Sequence, residues 1–182
     1  MKKNFLYLFT ILLFSTSSFG QLMTTKVIGK NAKEFKTGVG VFANLEMPLN
    51  QSFNRSVVLE ICDCGIFSGK SNLDTSAAFV SVKIGYKKIF SNTQTGFYIN
   101  PSVGVGWAFM AKNVVDTLSK RFGPAMAIEA GYSLEVGKRG NAICLGLKCE
   151  SDVPFSTYNL TTLQLRLAYS FHNRKRVTTP KK

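Results

Sequence analysis

The sequence has no apolar run long enough to form a membrane-spanning helix. Although 45% of its 182 residues are hydrophobic, no run beyond residue 14 approaches the ~20 apolar residues that such a helix needs. This excludes a helical membrane protein. Charged residues are also few, at 18%, and the chain is too apolar to be intrinsically disordered. One folded domain is expected.

Acidic residues are scarce as well. The chain has 10 Asp+Glu against 23 Lys+Arg, for a formal net charge of +13 and a pI near 9.8. A basic chain suggests a nucleic-acid partner when its cations form one patch. Here Lys2 and Lys3 open the chain, and several more cations lie in the acid-free segment 172–182. We expect no nucleic-acid partner and interpret 172–182 as a basic tail.

The N-terminal segment has the pattern of a secretory signal peptide. Two lysines precede the apolar run Phe5–Phe14, and Ser18-Phe19-Gly20 places small residues where a signal peptidase acts. A buried N-terminal helix is the alternative, but no 3.6-residue period continues after it. The sequence therefore predicts export, with residues 1–20 removed before Gln21.

Alternation of bulky and small or polar residues runs through the rest of the chain and is typical of β-strands. From Phe97 to Phe109 the odd positions are bulky, and the even positions are mostly small or polar. The tight turns and longer loops alternate, so we predict an eight-stranded antiparallel up-and-down barrel in a single domain, 21–171. The strands are expected at 22–29, 35–47, 57–67, 78–86, 97–109, 122–136, 143–149 and 162–171, with tight turns at 49–54, 91–95 and 137–141.

The two faces distinguish a soluble barrel from a membrane barrel. A soluble barrel fills its interior with apolar bulk, whereas a transmembrane barrel shows that bulk to lipid and keeps a polar face inside. The face opposite the bulky side chains carries Gly, Ala, Ser, Asn and charges, which bury too little apolar area for a soluble core. The pattern favours a transmembrane barrel. Eight aromatic residues are expected to form interfacial girdles on its outer face: Phe35, Tyr86, Phe97, Trp107, Phe109, Phe122, Tyr169 and Phe171.

The chain resembles a known group of proteins. Its signal peptide, its eight predicted strands, the Gly-rich segment 101–107 and the ending Tyr169-Ser170-Phe171 look like the small outer-membrane β-barrels of Gram-negative bacteria, of the OmpX and OmpA-domain type. The resemblance implies an outer-membrane location. The aromatic ending resembles the signal read by the outer-membrane assembly machinery, which is therefore an expected partner.

The interior of the predicted barrel holds charged side chains. An eight-stranded barrel is just wide enough for side chains to fill, and unpaired charges inside it would be costly. We therefore expect a salt-bridged network at mid-membrane level and hypothesise that Glu129 and Arg166 belong to it. Five inward residues lie at a similar height above the short turns: Glu60, Lys83, Glu129, Lys148 and Arg166.

Two residues conflict with this pattern. Asp63 has lipid-facing parity, which indicates either a β-bulge near Cys62-Asp63-Cys64-Gly65 or a position at the outer interface. Pro101 lies within a strand although it has no N–H to donate. Both alternatives for Asp63 stay open at the level of sequence.

The four cysteines are predicted to be free thiols. Cys62 and Cys64 lie on the third predicted strand, and Cys144 and Cys149 on the seventh, so the two pairs are not neighbours. Since no histidine and no second cysteine pair joins Cys62 and Cys64, we expect no metal site. No cofactor is expected either.

The remaining hypotheses concern function. Some small outer-membrane barrels are lipid-modifying enzymes, and those enzymes use a histidine. His172 is the only histidine here and has no neighbouring Ser or carboxylate in sequence. We expect a non-enzymatic barrel with a structural or interaction role, and a small channel or transport protein is the alternative.

The expected partners are lipids and proteins of the outer membrane. An even number of strands puts both termini on the periplasmic side, where the basic tail meets anionic surfaces. Surface glycolipid is the expected partner of the cations near the long loops, which are Lys70, Lys112, Lys120 and Arg121.

Overall fold

The structure is a computed structural model that describes residues 21–29, 32–33, 35–50, 52–69, 76–111, 119–136, 141–152 and 160–170. The predicted signal peptide, 1–20, and the basic tail, 172–182, lie outside the described residues. Within these ranges no helix is both long and apolar enough to cross a membrane. The strands are β1 (Gln21–Ile28), β2 (Gly38–Pro48), β3 (Arg55–Ser68), β4 (Ser76–Ile89), β5 (Gly96–Ala111), β6 (Ser119–Val136), β7 (Asn141–Asp152) and β8 (Leu160–Ser170).

The eight strands form a closed antiparallel barrel. Each strand pairs with the next one along the chain, and β1 pairs with β8 from Leu22↔Leu167 to Ile28↔Thr161. Closure gives hydrogen-bond partners to the strands that would be the edges of an open sheet. The predicted all-β, eight-stranded up-and-down barrel is confirmed.

Side chains alternate between the interior and the outer surface of the barrel. In β7, Ala142, Cys144 and Lys148 are buried, whereas Ile143 and Leu145 between them are exposed. The outer face of the described strands is dominated by exposed Val, Leu, Ile, Phe and Tyr, and the buried face includes many polar and charged residues. This distribution is the inverse of a soluble barrel.

A β-bulge in β3 exchanges its inward and outward faces. Glu60 and Asp63 pair with Lys83 and Ser81 of β4, so two residues of β3 lie opposite one of β4. Even-numbered residues of β3 are buried before the bulge and odd-numbered residues after it. Asp63 is therefore inside the barrel and 0% exposed. Of the two explanations for its parity, the bulge is present, and the position at the outer interface is wrong.

Pro101 lies on the exposed face of β5, and it interrupts pairing on one side only. It pairs with Ile128 of β6. The ladder between β4 and β5 is broken between Gly85 and Lys88, which is the stretch of β4 that faces Pro101. Because proline has no N–H, it cannot donate to β4 at this point.

The barrel interior has three layers along its axis. An apolar layer that includes Phe35, Phe67 and Phe79 lies toward the long-loop end. A charged layer occupies the middle. A smaller cluster that includes Ile89 and Tyr98 lies toward the short-turn end.

Candidate functional site

The five interior charges predicted from sequence lie inside the barrel and meet in its middle layer. Each sits on a different strand, from β3, β4, β6, β7 and β8, at a position whose alternation points inward. All five side chains are buried: Glu60, Lys83, Glu129, Lys148 and Arg166. We call these residues, together with Asp63 and Glu150, the lumen network.

Lys148 is the centre of the lumen network. Its Nζ atom lies 2.6 Å from Glu60 Oε2, 2.5 Å from Asp63 Oδ2 and 3.0 Å from Glu150 Oε2. These contacts join β3 to β7 across the barrel, and neither strand is the other's neighbour. One ammonium group is thus shared by three carboxylates away from water.

Lys83 reaches the same three carboxylates from β4. Its Nζ atom lies 3.3 Å from both Glu60 Oε2 and Asp63 Oδ2, and it also contacts Glu150 Oε1. Ser81 Oγ accepts a further hydrogen bond from Lys83 and donates one to Glu150 Oε1 at 2.7 Å. Charge-assisted hydrogen bonds of this kind are stronger than neutral ones.

Arg166 links Glu60 to Glu129. Its Nη1 atom lies 2.8 Å from Glu129 Oε2 and 3.6 Å from Glu60 Oε1, and its guanidinium stacks on the Phe42 ring at 3.5 Å from the centroid. Tyr98 Oη donates to the other oxygen of Glu129 at 2.5 Å. Glu129 and Arg166 therefore share one connected set of contacts.

Sequence reasoning missed two members of the lumen network for different reasons. Asp63 had lipid-facing parity, and the sequence left open whether a bulge in β3 or a position at the outer interface was the cause. Glu150 follows Lys148 by two residues and so has inward parity, but β7 was predicted to end at Cys149. Continuing the alternation past that predicted end would have found Glu150.

A second ion pair lies closer to the short turns. Lys87 Nζ is 3.2 Å from Glu46 Oε2 and sits over the Tyr98 ring at 4.9 Å from its centroid. A cavity of about 30 Å³ adjoins this pair and extends to Glu129 and Asn44. This space has room for about two water molecules.

Acids outnumber bases among the buried residues that the structure describes. Asp152 is one of the buried acids that no base compensates, and neither of its carboxylate oxygens has a hydrogen-bond partner. The interior therefore has more negative than positive formal charge. The buried acids are Glu46, Glu60, Asp63, Glu129, Glu150 and Asp152, and the buried bases are Lys83, Lys87, Lys148 and Arg166.

The apolar layer above the network fills the barrel toward the long loops. Phe67 and Phe79 are buried with ring centroids 6.0 Å apart, and Phe35 packs on Phe67 at 6.3 Å. Phe35 was expected in the outer girdle, but it is only 3% exposed and that expectation is wrong. The reason is that Phe35 precedes β2 and is held by an isolated bridge to Gly69, so the alternation of β2 does not extend to it.

The other girdle residues that the structure describes lie on outward positions. Phe97 is 70% exposed and Phe122 is 59% exposed. Phe97 forms an edge-on pair with Tyr132, with centroids 5.1 Å apart, and Phe122 packs against Trp107 at 4.9 Å. Tyr86 is exposed and Phe109 and Tyr169 are half-buried, whereas Phe171 lies outside the described residues.

The four cysteines are free thiols in the structure. Cys144 is buried, whereas Cys62, Cys64 and Cys149 are half-buried. The bulge puts Cys62 and Cys64 on the outer face and Asp63 between them on the inner face, which reverses the arrangement expected from sequence. Among the described residues, no group of three or more His, Cys, Asp or Glu side chains is arranged to hold a metal ion.

Comparison with known proteins identifies the fold through structure rather than sequence. No protein-family model and no curated protein matches the chain. Neisserial surface protein A (NspA) superposes with a TM-score of 0.60 and 9% identity, over 86% of this chain and 94% of NspA. This chain has the fold of a small outer-membrane β-barrel. Ail, the attachment invasion locus protein of Yersinia pestis, crystallised with the heparin analogue sucrose octasulfate, superposes with a TM-score of 0.52 and 17% identity, over 86% of this chain and 98% of Ail.

The number of strands explains why the interior of this barrel is filled by side chains. Eight strands leave an interior that side chains fill, and here they fill it with ion pairs in the middle and aromatic rings above. Chemically, the described interior is suited to holding opposite walls of the barrel together.

Proposed function

We propose that this protein is an integral outer-membrane β-barrel with a closed interior, and that its role is structural or in protein interaction. The observation that carries the proposal is the outer surface, where exposed apolar side chains lie between two aromatic pairs. Phe97 and Tyr132 lie near the short-turn end of β5 and β6, and Trp107 and Phe122 lie toward the long-loop end.

The spacing of these two aromatic pairs matches the thickness of a membrane. Phe97 and Trp107 are about ten residues apart along β5, which corresponds to roughly 33 Å of strand. At a typical barrel tilt of ~40°, the vertical separation is about 25 Å. The apolar band of outer-membrane barrels, flanked by aromatic girdles, is also ~25 Å tall.

Insertion into lipid tests this proposal directly. The protein, refolded into phosphatidylcholine vesicles, is expected to co-float with them and to migrate differently on SDS gels before and after boiling, as folded barrels do. A protein that folds to a monomer in buffer without lipid or detergent would contradict the membrane-spanning role.

A closed barrel is favoured over the channel alternative by the packing of the interior. The lumen network occupies the middle layer, and Phe35, Phe67 and Phe79 occupy the layer above. Planar-bilayer recording is expected to give no discrete conductance steps. Reproducible unitary steps would favour the small channel or transport protein instead.

A non-enzymatic role is part of the proposal. The acids of the lumen network are bound to Lys or Arg rather than presented to a substrate, and His172 lies outside the described residues. Lipid A from cells with and without the protein is expected to have the same mass. A modified lipid A species that depends on the protein would contradict this.

The proposed location is the outer membrane, with residues 1–20 as a cleaved signal peptide and both termini in the periplasm. The outer-membrane assembly machinery, membrane lipid and surface glycolipid are the proposed partners, together with other proteins of the outer membrane. An epitope tag after Lys182 is expected to resist protease in intact cells and to be cleaved once the outer membrane is permeabilised. Cleavage in intact cells would reverse the orientation.

A further inference from the structure

A groove distinct from the lumen network lies at the short-turn end of the barrel. It has a volume of about 570 Å³ and is lined by Arg55 at the start of β3, Lys88 near the end of β4, and residues of the two adjoining turns, including Phe90 and Ser91. We call it the rim groove. It lies where β3 and β4 meet their turns, and none of its lining residues belongs to the lumen network.

The rim groove is held in shape by contacts between its two turns. Asn54 Nδ2 donates to the Ser91 carbonyl oxygen at 2.6 Å, and the Ile89 N–H donates to the Asn54 carbonyl oxygen at 2.8 Å. Asn54 precedes Arg55, and Ile89 follows Lys88. The backbone positions of the two cations are therefore fixed relative to each other.

Arg55 and Lys88 face each other across the β3–β4 ladder on its outer face. Among the described residues, no carboxylate forms an ion pair with either of them, in contrast to the four buried bases of the lumen. Lys88 Nζ lies 5.2 Å from the centroid of the Phe90 ring, which is 62% exposed. The rim groove thus combines two uncompensated positive charges with an exposed aromatic ring.

The surface directly above the rim groove is apolar. Tyr86 and Ile84 precede Lys88 at outward positions of β4, and both are exposed. A ligand that contacts all of this surface has an anionic group at Arg55 and Lys88 and a hydrocarbon portion along Ile84. An anionic phospholipid has this chemistry, and basic residues at a membrane surface attract such lipids.

We propose that the rim groove binds the phosphate of an anionic phospholipid from the leaflet around the short-turn end, with the acyl chains lying along Tyr86 and Ile84. This inference rests on the proposed membrane-spanning role. The two cations hold the phosphate, and the exposed Phe90 ring packs at headgroup level, where aromatic side chains are favoured.

Lipid retention on the full-length barrel tests this site. The wild type and the double variant Arg55→Gln/Lys88→Gln are folded in bilayers of phosphatidylcholine with a minor share of phosphatidylglycerol, extracted gently, and examined by native mass spectrometry. The wild type is expected to retain phosphatidylglycerol in preference to phosphatidylcholine. Loss of two basic contacts is expected to weaken this binding roughly 30-fold.

Two control variants separate a built site from general attraction. Lys26→Gln/Lys36→Gln removes two exposed cations at the other end of the barrel and is expected to retain the lipid. Arg55→Lys/Lys88→Arg keeps both charges in the rim groove and is expected to restore binding. Equal loss in the Lys26→Gln/Lys36→Gln variant would overturn the proposal.

Two further results distinguish the source of the phosphate and the premise of the site. Inorganic phosphate is expected not to release the bound lipid, and release by it would indicate a free-anion site and overturn the proposal. Wild-type protein that inserts into bilayers without lipid preference would overturn only the rim groove site. Wild-type protein that does not insert would overturn both this site and the proposed function.

Discussion

Removing a base from the lumen network is expected to cost more stability than removing an acid, because the buried acids outnumber the buried bases. The test pair is Lys148→Met and Asp63→Asn, which preserve side-chain volume closely while each removes one charge. The two side chains contact each other at 2.5 Å, and both are 0% exposed. The comparison therefore holds burial constant while one variant removes a positive charge and the other a negative charge.

The expected magnitude follows from the contacts of Lys148. Its removal leaves Glu60, Asp63 and Glu150 with only Lys83 and Arg166 as counterions. Breaking a buried ion pair typically costs about 3–5 kcal/mol. At roughly 2–4 °C per kcal/mol for a domain of this size, Lys148→Met is expected to lower the melting temperature by about 10 °C. Asp63→Asn is expected to lower it by less, since it reduces the excess of acids.

Thermal melting and urea titration of the protein in lipid vesicles, both followed by tryptophan fluorescence and gel mobility, measure the melting temperature and the free energy of unfolding. Lys87→Met is the matched control, because its single ion pair with Glu46 is 10% exposed and is expected to contribute less. The double variant Lys148→Met/Asp63→Asn is expected to lose less than the sum of the single losses. A larger loss for Asp63→Asn than for Lys148→Met would refute the reasoning from acid excess.

Three further predictions concern other interior positions. Gly146→Ala would place its Cβ on Glu129 Oε1 and Tyr98 Oη. The free energy of unfolding measured by urea titration is therefore expected to fall by about 1–3 kcal/mol. An unchanged midpoint would argue against this packing. Asp152→Asn is expected to leave stability unchanged or to raise it, because the buried carboxylate has no hydrogen-bond partner, and a clear loss in the same titration would show that the charge is compensated. Cys144 is expected to react with N-ethylmaleimide more slowly than the other three thiols of the folded barrel, since it alone is buried, and equal rates in peptide mass mapping would contradict its inward position.

The strands were predictable because all side chains on one face of a barrel wall share the same environment along the strand. In β5 and β6 the alternation is uninterrupted, and the positions of Glu129, Phe97 and Phe122 followed directly from parity. Parity has a period of two and needs only the local sequence. This is why most of the fold and the five predicted interior charges were accessible.

Features that depend on pairing between strands were not accessible in the same way. The bulge near Asp63 is defined by an extra residue relative to β4, so the sequence of β3 alone indicated a conflict without deciding its cause. Phe35 was misplaced because its environment depends on a bridge to Gly69, across a chain reversal. The rim groove likewise comes from two turns that are distant in sequence but meet in the barrel.

The bulge in β3 also makes one place in that strand tolerant of a deletion. Loss of either Ile61 or Cys62 would leave a single residue between Glu60 and Asp63, and a regular strand with that spacing points both acids inward. Loss of one residue elsewhere in β3 would exchange the inward and outward faces of part of the strand and move buried charges toward lipid. In related chains, a one-residue difference in the length of this strand is therefore expected to occur at 61–62.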